Sequence, residues 1–584
     1  MKKAFILPMT ALLLSSCSFT FVVHTSNSDS SLDPASTETG MTDSSGAVPS
    51  ASSDTTMPPL PSSNTDITRT TPSNTGKTML TSTSSKSSSS RSSASSSSSA
   101  ASSSSASSSA ELTGLGYRPF GTRTTRYHNQ PEKNIFSESC VMDTIGDQKL
   151  LIIPVHTSEV SFTEEELETI DIAYNGDASE TGWQSLRSYY EASSYGELRM
   201  QGIMVEPYNL GSNTNSFGQS ARSNATFINT LHTITSSYAQ EIADNNLDQN
   251  GDGYVDAVEF VWKNNGTTWS GYEDNTSVWW AFTSISGKSP NVNSPVVGDY
   301  FWSPLSHITN GYYTPNIDVH TLVHETGHLL GADDLYSYDS DTDGCPAGGS
   351  DIMDLNVGDH NAVTKAMYGW VSPYIPTGEL DEFTITLNDF QSTGDCLMLI
   401  DPESWNGTQY DEYFMCEYYT PTGLNESDAV DGYPEWAESY YYNGTGKIYT
   451  QPGLKVMHAD FRPGNYDSRG RFTGFSSTPL SSTAYVPASN TSTSSGSGYR
   501  LMEAIPACKT NLFVGRNGSY RHFGRQDILF GLQSYGCGST TFNASSCSNV
   551  LKNRTTMNSG DPIPWSFTVI DQTPTTITLQ VTKL

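Results

Sequence analysis

Residues 318–331 read Asp318-Val319-His320-Thr321-Leu322-Val323-His324-Glu325-Thr326-Gly327-His328-Leu329-Leu330-Gly331. The run contains H-E-x-x-H. On a helix, positions i and i+4 lie one above the other, so His324 and His328 present their imidazoles from one face. A divalent ion about 2.0–2.1 Å from each nitrogen would satisfy both. Glu325 sits one residue round the helix, beside the place of a water on that ion. Gly331 falls one helical step further on, where a left-handed residue ends a helix and lets the chain double back. Asp334 then stands ten residues after His324, where a third ligand is wanted. The pattern H-E-x-x-H-x-x-G-x-x-D fills the three protein positions of a catalytic zinc site and leaves the fourth for water.

Competing third ligands are weighed by reach. No glutamate occurs between Glu325 and Glu379, so a later helix nearby supplies none. His320 shares the helical face but is eight residues from His328, about 12 Å along the axis and too far for one ion to join both. Asp333, next to Asp334, and the distant His360 stay open on sequence alone. About twenty residues beyond the helix, Ile352-Met353-Asp354 reads as a methionine turn, with Met353 beneath the metal.

Outward from this helix, strands alternate with helices. Lys149-Leu150-Leu151-Ile152-Ile153-Pro154-Val155 predicts a buried strand, and Trp183 to Ser193 a helix stopped at Tyr195-Gly196. Phe227, Leu231, Ile234, Tyr238 and Ile242 recur at helical spacing, while Val255 to Trp262 is β-branched and aromatic, as in a strand. The alternation, sustained to about Trp370, predicts an α/β domain. Beyond Glu382, short alternating runs such as Phe383-Thr384-Ile385-Thr386-Leu387 and Thr575-Thr576-Ile577-Thr578-Leu579 predict an all-β, sandwich-like domain. The expected division is 113–378 for the first and 379–584 for the second.

Between the amphipathic helix and the strand lies Asp248-Gln249-Asn250-Gly251-Asp252-Gly253-Tyr254-Val255-Asp256-Ala257-Val258-Glu259. It places calcium donors at Asp248, Asn250, Asp252, the Tyr254 carbonyl, Asp256 and Glu259, with Gly253 at the sharp turn. Because Val255 onward reads as strand, the expected site is structural, a helix-loop-strand and not an ordinary EF-hand. Asp339, Asp341 and Asp343, followed by Gly344, form a second candidate calcium loop.

His324 to Tyr336, Gly348-Gly349-Ser350-Asp351-Ile352-Met353-Asp354 and Lys365-Ala366-Met367-Tyr368-Gly369-Trp370 together resemble the immune inhibitor A family of bacterial secreted metalloendopeptidases. Further matches are Ser188-Tyr189-Tyr190-Glu191-Ala192-Ser193-Ser194-Tyr195-Gly196 and Gly453-Leu454-Lys455-Val456-Met457-His458-Ala459-Asp460. The matches span most of residues 145–584. The resemblance implies a metzincin-like fold, zinc on His324, His328 and Asp334, and Glu325 as catalytic base for a zinc-bound water. It also implies hydrolysis of peptide bonds in extracellular proteins. The sequence departs from some metzincins at Leu355, two residues after Met353, where they carry tyrosine. The oxyanion-stabilising group is therefore unassigned, with Tyr368 a candidate.

At the N-terminus, Lys2 and Lys3 precede an apolar run from Ala4 to Leu14, too short to span about 30 Å of hydrocarbon and so a signal-peptide core. Leu14-Ser15-Ser16-Cys17 resembles a bacterial lipobox, so residues 1–17 read as a lipoprotein signal segment, which implies a cut before Cys17 and lipid on its thiol. Residues 18–112 are Ser/Thr/Ala-rich and cannot bury enough apolar surface to order themselves, so they predict a long disordered tether. Its root-mean-square reach is roughly 55 Å. The expectation is an exported, monomeric cell-surface lipoprotein, its only hold on the membrane being the lipid at Cys17.

The 584 residues hold 30 Lys+Arg against 62 Asp+Glu, a net charge of −32. Nucleic acid is an unsuitable partner, since phosphate binding needs clustered Lys and Arg. Residues 1–112 carry six basic and seven acidic residues, so −31 belongs to the rest. Seven cysteines follow Cys17, an odd number without C-x-x-C spacing; Cys537 and Cys547 are the nearest pair.

These readings lead to an exported zinc endopeptidase stabilised by calcium and acting on proteins or peptides. One alternative is a non-catalytic surface adhesin with a structural metal site; another is a zinc hydrolase acting on cell-wall peptide. Glu325 and the open fourth position favour an enzyme, because structural zinc sites are closed by four protein ligands.

Overall fold

The computed structural model describes residues 115–117, 142–211, 225–263, 281–309, 316–337, 346–354, 356–376, 380–431, 446–468, 472–476, 484–486, 490, 498–508, 524–547 and 555–584. The expected signal peptide, tether and Cys17, the loop of Asp339, Asp341 and Asp343, and Leu355 lie outside these residues.

The apolar run 149–155 sits in strand β1 (Gly146–His156), with Leu150, Leu151, Ile152, Ile153 and Val155 all fully buried. Burial of successive residues requires cover on both faces of a sheet. β1 pairs in parallel with β2 (Leu198–Met204) and β3 (Val258–Lys263). β3 continues in parallel to β5 (Asp299–Pro304), and β4 (Phe282–Ile285) closes the order β2-β1-β3-β5-β4 as an antiparallel edge.

Alternation sends Leu151, Ile153, Val258, Phe260, Trp262 and Trp302 into one core, and Leu150, Ile152, Ala257, Val261 and Phe301 into another. The first core is covered by α3 (Ala225–Ser236) and α4 (Ala239–Asn245). The second takes α1 (Glu164–Asn175), α2 (Leu186–Ser193), α5 (His320–Leu329) and α6 (Ala362–Tyr368).

The helical spacing from Phe227 to Ile242 is divided between α3 and α4, although all five apolar residues are buried. The break follows a Ser/Thr run whose hydroxyls bond back to helix carbonyls: Thr235 to Leu231, Ser236 to His232 and Ser237 to Thr233. Such bonds compete with the main-chain ladder.

The strands of the two larger C-terminal sheets include β6 (Tyr374–Pro376), β7 (Glu382–Asn388), β8 (Cys396–Ile400), β9 (Glu412–Tyr419), β10 (Gly453–Asp460), β11 (Met502–Ala504), β12 (Thr541–Phe542), β13 (Trp565–Gln572) and β14 (Thr576–Lys583). The two short runs read as strands pair with each other, Phe383 opposite Val581 and Ile385 opposite Leu579. They belong to a four-stranded sheet, β7-β14-β13-β12, that shares a core with one face of a six-stranded sheet. That second sheet runs from strand Leu115–Tyr117 through β6, β8, β9 and β10 to β11. Its other face, bearing Met398, Tyr413, Met415, Met457 and Ala459, enters the core that also contains α5 and α6. The sheet and this core thus straddle the expected division at 378/379. Among the described residues Cys396, Cys416, Cys537 and Cys547 are free thiols. Cys537 and Cys547 occupy different cores, and no described helix is long and apolar enough to cross a membrane.

Candidate metal centre

Helix α5 ends where Gly331 takes φ +98°. Gly331 N donates to His328 O at 2.8 Å and Ala332 N to Gly327 O at 3.0 Å. This paired 5→2 and 6→1 closure is a Schellman turn. It reverses the chain so that Asp334 comes back against the helix. His324, His328 and Asp334, all buried, bring their ligand atoms within 4.8 Å of one another.

The same turn orients the imidazoles. His328 Nδ1 lies 2.6 Å from Ala332 O, and His324 Nδ1 lies 2.9 Å from Ile352 O. A carbonyl can only accept, so the Nδ1 atoms carry the protons and the Nε2 lone pairs face the other way. What they face is Asp334 Oδ1, at 3.0 Å from His324 Nε2 and 3.4 Å from His328 Nε2. Three electron-rich atoms converge, an arrangement that a cation or a proton between them would reconcile. Titration alone answers with a proton: burial lowers the His328 pKa, but the Asp334 carboxylate overrides it and lifts it to about 9. Two imidazole nitrogens and one carboxylate oxygen fit the zinc donor set.

Glu325 is buried beside these groups, and Thr283 on β4 donates to its Oε2 at 2.8 Å. Burial raises its pKa, aided by the Asp334 charge and opposed by His328, His324 and Thr283. Met353 lies under the helix: a Cβ on Gly327 would meet its Sδ at 2.5 Å. The turn around Met353 is also the frame of the centre. Ile352 O receives His324, Met353 O receives Leu335 N at 2.7 Å, and Asp351 Oδ1 receives Met353 N at 2.9 Å.

The open alternatives resolve by position. His360 turns its Nδ1 to Asp351 at 2.9 Å, with its ring among Tyr189, Tyr190, Tyr368 and Trp370. Asp333 is not part of the convergent group. Tyr368 OH donates to Gly327 O at 3.0 Å and Tyr190 OH to Val323 O at 2.7 Å, so both tyrosines brace helix carbonyls. The Tyr368 hydroxyl is thus engaged by the helix in this structure.

In the first calcium loop, backbone N–H groups already bond to four side chains: Gly253 to Asp248, Asp252 to Asn250, Tyr254 to Asp252 and Gln249 to Asp256. Asp248 Oδ1 and Asp256 Oδ1 are buried without hydrogen-bond partners. Burial chiefly, then the charges of Asp252, Asp248 and Asp143 against a bond from Gln249, lifts the Asp256 pKa to about 8. These are the marks of oxygens that suit a cation. Glu259 does not belong with them. It lies on β3, on the side of Val261 and of Ala257 just before the strand, and its Oε1 accepts from Thr326 Oγ1 at 3.0 Å. In an EF-hand the exit helix swings the twelfth residue back over the ion. A strand exit instead commits that position to one face of the sheet. Burial, with a smaller addition from Glu325 and against bonds from Tyr174 and Thr326, raises the Glu259 pKa to about 7.

Thr283, Asp351 and the carbonyls of Ala332 and Ile352 escape sequence reading because no motif encodes which backbone oxygen or neighbouring strand a histidine helix will meet. No family model and no curated protein matches the sequence. The family resemblance therefore rests on the quoted motifs.

Proposed function

We propose that the chain is an exported zinc-dependent endopeptidase, with zinc held by His324, His328 and Asp334 and Glu325 as general base. The observation that carries this reading is the pair of fixed imidazole tautomers aimed at one buried carboxylate, with a second, raised-pKa carboxyl alongside. When bound, zinc supplies Lewis-acid polarisation of a carbonyl and lowers the pKa of water toward about 7. Glu325 would take a proton from the attacking water and return it to the leaving amine. Burial brings its basicity nearer to neutrality, and Thr283 fixes the orientation of its carboxyl.

A peptide substrate is supported by β4. This strand ends its sheet as an antiparallel edge among the described residues and carries Thr283, the residue that touches the base. An extended peptide adds to such an edge through its own backbone. Calcium belongs in this proposal as a structural ion on the 248–256 loop, with Asp248 and Asp256 as donors. Attachment to a bacterial cell surface rests on lipid at Cys17.

The test is digestion of a proteome-derived peptide library by the purified chain, with and without a zinc chelator, beside Glu325→Ala. Cleavage that stops with chelator and with a zinc-loaded Glu325→Ala protein is expected. Cleavage unaffected by either change would sink the reading.

A further inference from the structure

We infer that Asn490, far along the chain in the β-rich part, is a positioning residue for the third zinc ligand, acting on Asp334 through Leu335. The inference rests on the zinc reading above. Asn490 is 2% exposed, and both ends of its side-chain amide are engaged. Nδ2 donates to Leu335 O at 2.7 Å, while Oδ1 accepts from Met502 N of β11 at 2.9 Å. An amide that donates at one end and accepts at the other has one orientation only. β11 is hydrogen-bonded in turn to β10, so the sheet itself holds the amide.

Leu335 directly follows Asp334. Its N–H bonds to Met353 O and its C=O to Asn490, so the backbone leaving the ligand is fixed from two sides. The remainder of this region is braced by the same C-terminal chain. Ala504 N donates to Pro346 O at 2.8 Å, Gly524 N to Gly348 O at 3.2 Å, and the Tyr449 hydroxyl to Gly348 O. The Schellman turn returns Asp334 toward the histidines, but a turn alone fixes direction and not distance. The carboxylate must reach about 2.0–2.2 Å from an ion that two helix-borne imidazoles already locate. Asn490 supplies that constraint from outside the α/β part. The β-rich part is thereby a component of the metal centre.

The experiment measures zinc affinity of the full chain by competition with a chromogenic chelator, for wild type, Asn490→Ala, Asn490→Asp and His328→Ala. Asn490→Asp keeps the acceptor for Met502 N and loses the donor to Leu335 O, so it tests the bond to the ligand loop even if Asn490→Ala fails to fold. Removing such an outer partner of a ligand weakens metal binding about 10–100-fold. That loss is expected in Asn490→Asp, in a chain whose zinc-free circular dichroism matches wild type. Wild-type zinc affinity in folded Asn490→Asp overturns the inference, and so does a lowered melting point with unchanged zinc affinity, which would make the residue structural only. A wild-type chain whose zinc affinity equals that of His328→Ala would overturn the zinc reading as well.

Discussion

Replacing Gly327 with alanine should destabilise this protein, against the ordinary expectation for a helix interior. Alanine is favoured over glycine there by about 1 kcal/mol. In this helix the new Cβ would stand 2.5 Å from Met353 Sδ, 3.2 Å from its Cε and 3.5 Å from the Tyr190 hydroxyl. Met353 is fully buried, so its sulfur has little room to retreat. Overpacking of this kind costs about 1–3 kcal/mol. The net change is a loss of up to about 2 kcal/mol, and zinc affinity should fall as the helix is pushed from the turn that holds His324. Urea midpoints of the zinc-free protein give the stability change. A cycle with Met353→Ala gives the coupling, expected at about 1–3 kcal/mol for groups in contact. In the Met353→Ala background, Gly327→Ala should become neutral or stabilising. A Gly327→Ala protein more stable than wild type, with Met353 present, would refute the packing argument.

Four further outcomes are expected. Glu325→Ala should bind zinc as wild type does yet lose about 10²–10⁴-fold in turnover, read by metal analysis and a quenched peptide assay. Tyr368→Phe should lose about 1 kcal/mol of stability with turnover little changed; a hundredfold loss would restore Tyr368 to the reaction. Calcium should raise the melting temperature of wild type, as for any ligand of the folded state, and Asp256→Ala should abolish that rise. His458 supplies a pH test: burial lowers its pKa, but hydrogen bonds and charges from Glu412 and Glu503 lift it to about 9. A pKa raised on folding gives stability that is complete below the ordinary value near 6.5 and lost as pH climbs through 9. Denaturation midpoints should therefore fall between pH 6.5 and 9, and in His458→Gln they should fall less, the remainder coming from His328 in the zinc-free protein.

The convergence of His324, His328 and Asp334 was legible because its geometry is local. Two histidines at i and i+4, a glycine that must turn left-handed and an aspartate after it are settled within eleven residues. Strand β1 was legible for the same reason, being one apolar run. The twelfth calcium position was misread because the motif assumes a helix, whereas alternation along β3 turns Glu259 toward Thr326. The bond from Tyr368 to the Gly327 carbonyl was not legible, because sequence gives no direction for a side chain two turns into another helix. The expected border at 378/379 follows a change in strand rhythm, but the six-stranded sheet takes strands from both sides of it. What joins those sides is long-range pairing, to which periodicity is blind.

That sheet also bears on how the chain must fold. The bond from Trp370 to Thr144 spans 226 residues, from Trp565 to Ile400 it spans 165, and from Asn490 to Leu335 it spans 155. Contacts so distant along the sequence demand closure of large loops before they stabilise anything, which slows folding. A sheet buried on both faces leaves its first strands without a complete core until the last ones arrive. Refolding of this body should accordingly be slow and prone to association of half-formed sheets, and a chain cut near residue 378 should collect as aggregate.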